Sequence, residues 1–212
     1  MLKKYFSFNH WIVLGIIILV ELIVNLLLKA TLLTEKVLYN SLVEKMTLED
    51  ISSFSSTVRS SAWMLVVFGV AQRIGEILLI SVCISIGTLL FRYDIQFRQI
   101  LKVVILSFLV FTVSRLPLLI TLLSGKVEKF EDLSFMPNLS LADWFRPENL
   151  PEWGLYPLQL INVYQFLFIL LMAAGFNRID PRGIPKWLGL ILLTYGTGLA
   201  ITVVLTAFAT AI

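Results

Sequence analysis

One histidine, His10, and one cysteine, Cys83, are the chain's entire supply of imidazole and thiol. Together they cannot assemble a usual zinc site, and no HExxH occurs. Cys83 has no second thiol for an intramolecular disulfide. GxSxG, P-loop and GxGxxG patterns are missing as well. An intramembrane serine protease usually takes histidine as its base, and His10 lies at the edge of an apolar run. An aspartyl mechanism needs two close carboxyls sharing a proton. Glu21 and Glu76 are the conceivable pair, but two bases accompany them. No catalytic residue, cofactor or metal is expected, and nothing points to nucleic acid.

Charge is scarce too. Only 15% of the residues are charged and 58% are hydrophobic, against about 25% and 45–50% in ordinary soluble domains. This is the composition of an integral membrane protein. No Pro/Gly/Ser-rich linker and no internal repeat divides the chain, so residues 1–212 read as a single membrane domain. Lys3 and Lys4 ahead of an apolar run superficially resemble a signal peptide. That run is too long for an h-region and holds Glu21 and Asn25, so it reads as a retained first span.

Five stretches reach the length needed to cross the hydrocarbon, at about 11–31, 63–91, 100–123, 157–177 and 187–210. The expected fold is all-α and polytopic, with five transmembrane helices and short amphipathic helices in the outer loops. With the N-terminus inside, the inner segments collect Lys3, Lys4, Arg92, Arg98, Lys102, Arg178, Arg182 and Lys186 against Asp94 and Asp180. The positive-inside rule therefore orients the chain N-in, C-out, and a cytoplasmic (inner) membrane location is expected.

The two long connections then lie outside. In the first, Leu38, Leu42 and Met46 recur every four residues, a stripe that continues the first helix and needs a partner. Thr47-Leu48-Glu49-Asp50 has the spacing of an acidic capping box that starts another short helix. Ser140-Leu141-Ala142-Asp143 repeats that spacing in the second connection, where Trp144, Phe145 and Trp153 suit the headgroup level.

Four charges sit inside the apolar spans: Glu21, Arg73, Glu76 and Arg115. Each costs about 2.5–3.5 kcal/mol at the bilayer centre on insertion scales, so each is expected to face the bundle interior and find a partner. Asn25 shares a helical face with Glu21, and Gln72 adjoins Arg73. Arg115 stands two residues before Pro117, whose missing N–H frees a carbonyl. Asn162 and Gln165 on the fourth span reach similar depth. The expectation is a neutral internal network fixing helix register. An ion or proton path through the same residues is the sharper alternative.

Weaker features complete the list of candidates. His10 beside Trp11 reads as an interfacial anchor. Gly196 and Ala200 form a small-xxx-small pair suited to close helix packing, within the chain or against another. Arg92, Arg98 and Lys102 set topology first and bind anionic lipid second.

From Gly87-Thr88-Leu89-Leu90-Phe91-Arg92-Tyr93-Asp94 through Ile95-Gln96-Phe97-Arg98-Gln99-Ile100-Leu101-Lys102-Val103-Val104, followed by Pro117, the chain resembles the bacterial branch of the Yip (Ypt-interacting protein) family of five-helix membrane proteins. Leu160-Ile161-Asn162-Val163-Tyr164-Gln165-Phe166, running to Gly175, is similar to that family's polar and aromatic fourth-span entrance. The likeness covers roughly residues 75–200. Phe91-Arg92-Tyr93-Asp94 replaces the glycine pair often found after the second span, and the trafficking branch's acidic-leucine-tyrosine-glycine-proline motif is missing. The resemblance implies a five-helix fold and a noncatalytic membrane role, without small-GTPase binding or vesicle traffic.

The function expected is that of a noncatalytic accessory or scaffolding subunit in a membrane protein complex, with membrane lipid and other integral membrane proteins as partners. Leu38, Leu42, Met46, Trp144, Trp153, Gly196 and Ala200 are its candidate contacts. The alternative is a small proton- or ion-coupled transporter or channel using the intramembrane charges.

Overall fold

Long aliphatic runs with few helix breakers give helices throughout the computed structural model, which describes residues 8–43, 47–125, 127, 129–130, 139–145 and 152–211. Among these residues there are ten α-helices: α1 His10–Leu32, α2 Glu35–Leu42, α3 Leu48–Leu90, α4 Phe97–Ser114, α5 Leu116–Leu123, α6 Leu141–Trp144, α7 Glu152–Leu160, α8 Val163–Ile179, α9 Ile184–Ile191 and α10 Thr197–Ala211. A π-helical turn, Leu192–Gly196, joins the last two. No strand occurs among the described residues, only an isolated antiparallel bridge between Ser140 and Asn162.

Among the described residues, four stretches are long and apolar enough to cross a membrane: His10–Leu32, Ser61–Leu90, Phe97–Leu123 and Ile184–Ala209. The expected fourth span is shorter than the sequence suggests. Asn162 takes an extended conformation and its side chain accepts the Gln165 N–H, so α8 starts there and runs only 17 residues. A polar N-cap inside an apolar run ends one helix and begins the next.

Other boundaries also move. The Leu38 stripe does not continue the first helix: α1 stops at Leu32, and Thr34, extended at φ −75° and ψ 147°, caps the separate α2. The acidic box at Thr47 does not start a short helix. It starts α3, which runs unbroken for 43 residues, about twice what one crossing needs. The α3 C-terminus closes with Tyr93 N–H on Thr88 O and Arg92 N–H on Leu89 O. Arg92 there has φ 53°, the left-handed position that glycine usually fills.

By contact the chain divides into two compact units, 16–74 with 112–136, and 1–15 with 75–111 and 137–212. In the first, Ile17, Val24, Val37, Leu38, Ala62 and Leu122 form a buried core. Phe130 N–H bonds Ser41 Oγ at 3.0 Å, tying the segment after α5 to α2. In the second, Phe108, Phe168, Phe176 and Trp187 are fully buried. Phe168 meets Phe108 edge-on at 5.7 Å, and Phe176 stacks on Trp187 at 5.1 Å. The α8–α9 turn is fixed by Asn177 Oδ1 accepting Gly183 N–H at 2.7 Å. Gly183 has φ 101°, which demands glycine.

Candidate functional site

The intramembrane polar residues form clusters within each unit. In the first, α1 carries Glu21 and Asn25 one turn apart, and α3 carries Gly69 and Arg73 one turn apart. Glu21 is 8% exposed. Its Oε2 accepts the Arg73 Nε–H at 3.2 Å, and its Oε1 pairs with Arg115 Nη2 at 3.8 Å. Asn25 Nδ2 donates to the Glu21 carbonyl at 2.8 Å and to Oε1 at 3.4 Å. Both carboxyl oxygens are thus engaged by residues of the chain itself.

Two backbone features let this happen. Arg115 sits at the break between α4 and α5, with Pro117 in the first turn of α5. Pro117 has no N–H to offer the preceding turn, so the helix interrupts where the arginine leaves it. Gly69 is the second feature, and sequence reasoning missed it. A Cβ there would lie 2.5 Å from Asn25 Nδ2, so the missing side chain is the space in which the Asn25 amide lies. The available signal was its position four residues before Arg73, on the same helical face. Gln72 is exposed on α3.

The second unit holds Glu76, Asn162 and Gln165. Asn162 Oδ1 accepts the Gln165 N–H at 2.9 Å, and its Nδ2 donates to Gln159 O at 3.1 Å. Gln165, 8% exposed, donates through Nε2 to the Tyr195 hydroxyl. Tyr195 is the other residue missed. It stands in the π-helical turn with its ring edge-on to Phe168 at 5.5 Å, and the charge of half-buried Glu76 acts on it. Its only signal in the sequence is a phenol between threonine and glycine in the middle of an apolar span. The neighbouring Thr194 reaches Gly87 so closely that a Cβ on Gly87 would meet Thr194 Cγ2 at 2.4 Å.

The candidate contact residues divide. Leu38 is a correction: at 1% exposure it belongs to the core of its own unit, on a helix that the extended Thr34 separates from α1. Leu42 is half-buried. Met46 lies outside the described residues, as does the side chain of Trp153 on α7. Trp144 is 83% exposed. Ala200 is exposed and Gly196 half-buried. Within its own unit the last span packs closely on Gly87 through Thr194 and Leu190, and its α10 half packs against α7.

This architecture defines an all-helical, multi-pass membrane protein. A comparison of the chain with protein-family models, with curated proteins and with solved structures finds no match in any of the three.

Proposed function

We propose that this protein is a noncatalytic accessory or scaffolding subunit that binds other integral membrane proteins, with five spans read from hydropathy, the N-in, C-out orientation of its basic loops, and the bacterial inner-membrane location that the family resemblance implies. The resemblance to the bacterial Yip branch supports the same reading. In it, α8 is the fifth crossing, since 17 residues stand at the lower limit for spanning.

The observation that carries the proposal is the last span. Only 11% of its most apolar window is buried within the protein, against 33% for each of the two middle spans. Gly189, Gly198 and Ala200 on it are exposed, and small residues let a neighbouring helix approach closely. Meanwhile the Glu21 carboxyl is taken up by Arg73, Arg115 and Asn25, as a register-fixing clasp requires. Crosslinking mass spectrometry on native membranes tests the proposal. Crosslinks from the last span to a second membrane protein are expected, and recovery of a monomer with lipid alone overturns it.

A second reading, a small proton- or ion-coupled transporter or channel, draws on the other cluster. Gln165 donates to the Tyr195 phenol, the charge of Glu76 acts on that phenol, and intramembrane carboxyls commonly mark such paths. Purified protein in liposomes loaded with a pH-sensitive dye separates the two. Flux abolished by Glu76→Gln favours the transporter.

A further inference from the structure

His10 opens α1 with its side chain packed away at 8% exposure, yet its Nε2 has no hydrogen-bond partner among the described residues. Its ring leans on Trp11 at 4.9 Å. The charges acting on it are both positive, Lys102 and Arg98, which stand four residues apart on the first turns of α4. Neither base makes an ion pair or a hydrogen bond to any described residue. The acids of the two turns do not serve them: Asp180, after α8, pairs with Arg182, and Asp94 is exposed in the α3–α4 turn. His10 and the two bases thus stand at the starts of their spans, the charges of both bases act on the imidazole, and no described residue supplies an acceptor to Nε2 or to either base.

We propose that His10, Arg98 and Lys102 form a binding site for the phosphate of an anionic phospholipid headgroup. A phosphate brings the acceptor oxygens and the negative charge that this corner lacks, and it suits both guanidinium and ammonium. The location fits a lipid source. His10 is the first residue of one membrane-crossing helix and Arg98 the second residue of another, which puts the group at headgroup level, beside the Trp11 indole that favours the same layer. Topology alone would be served by bases anywhere on these loops. It does not require two unpaired bases beside a buried imidazole.

The test uses the full-length protein in nanodiscs and native mass spectrometry of the lipid it retains. Wild type is expected to keep phosphatidylglycerol over phosphatidylcholine. Near a membrane surface each base contributes enough to change affinity about fivefold, so Arg98→Gln with Lys102→Gln should weaken retention by roughly twenty-five-fold. His10→Phe keeps the ring packing and removes the nitrogen, so it should weaken retention with both bases in place, and it serves if the double variant does not fold. Arg178→Gln with Lys186→Gln removes the same charge from the other inner loop and should change retention little. Equal loss in both double variants would mean diffuse attraction and overturn the site. Saturable binding of inorganic phosphate through these residues without any lipid preference would overturn the headgroup assignment.

Discussion

Arg73 donates its Nε–H to Glu21 Oε2 at 3.2 Å while the second oxygen of that carboxyl faces Arg115 at 3.8 Å. One buried acid therefore engages two bases carried by two other helical segments of its unit. Removing one member of a buried pair is worse than never having had the pair, because the remaining charge is left without compensation. Glu21→Gln should lower stability in detergent by about 2–3 kcal/mol, discounted because the Arg115 side chain is 36% exposed. Thermal unfolding of the purified variant measures this. If Glu21→Gln left the melting midpoint unchanged but altered proton flux in liposomes, the clasp would have to yield to a pathway.

Gly69 makes room for the Asn25 amide, whose Nδ2 would lie 2.5 Å from any Cβ at that position. Gly69→Ala should therefore destabilise by about 1–3 kcal/mol, as overpacking does. The distinguishing expectation concerns the pair: Asn25→Ala should relieve much of the penalty, so the double variant should be more stable than the sum of the two singles. Additive melting shifts would show that Gly69 and Asn25 do not share this space.

How much of this was legible depended on whether a residue announces itself alone. Glu21, Arg73 and Arg115 did, because a charge in an apolar run must find a partner, and Asn25 followed from helical spacing. Gly69 and Tyr195 did not. Their importance lies in which neutral side chain of another helix meets them, and no one-dimensional pattern carries that. Helix ends failed for a related reason. Hydropathy finds where a helix is oily, so it locates the second span at about 63–91, close to the apolar stretch Ser61–Leu90, and gives no sign that the same helix starts at Leu48. It also ran the fourth span through Asn162, whose cap makes the break. The Leu38 stripe is not continuous with α1, since one extended residue, Thr34, separates the two helices; of its members Leu38 is buried and Leu42 half-buried.

Gly87 and Thr194 offer a second steric test, this time in the other unit. A Cβ on Gly87 would come within 2.4 Å of Thr194 Cγ2, so Gly87→Ala should cost about 1–3 kcal/mol. Thr194→Ser deletes the obstructing methyl and keeps the hydroxyl that donates to Leu190 O at 2.9 Å. Thermal unfolding of the double variant should recover most of the loss. Failure to recover would place the strain elsewhere than in this contact.

Arg92 occupies a left-handed position, φ 53°, that closes the C-terminus of α3. An L side chain there is disfavoured by roughly 1–2 kcal/mol. Arg92→Gly removes that strain and loosens the unfolded chain, so a net gain of about 0.5–1 kcal/mol is expected. Arg92→Ala, which keeps the strain and loses the charge, should gain nothing. A melting midpoint raised equally by both would trace the effect to charge, and a lowered midpoint in Arg92→Gly would show that the guanidinium holds the turn.

Tyr195 bears on both the fold and the second functional reading. Its hydroxyl accepts from Gln165, which is 8% exposed, and its ring rests on Phe168. Tyr195→Phe keeps the ring and strands the Gln165 amide, so it should cost about 1–2 kcal/mol. Adding Gln165→Leu replaces the second polar partner and should return stability toward wild type, because an apolar pair of similar shape owes no hydrogen bond. The liposome assay on that rescued double variant is the informative one. As a structural bond, Tyr195–Gln165 can be exchanged for apolar packing with no change in proton flux. As part of a path beside Glu76, it cannot, and flux present in wild type would disappear from a variant that folds normally.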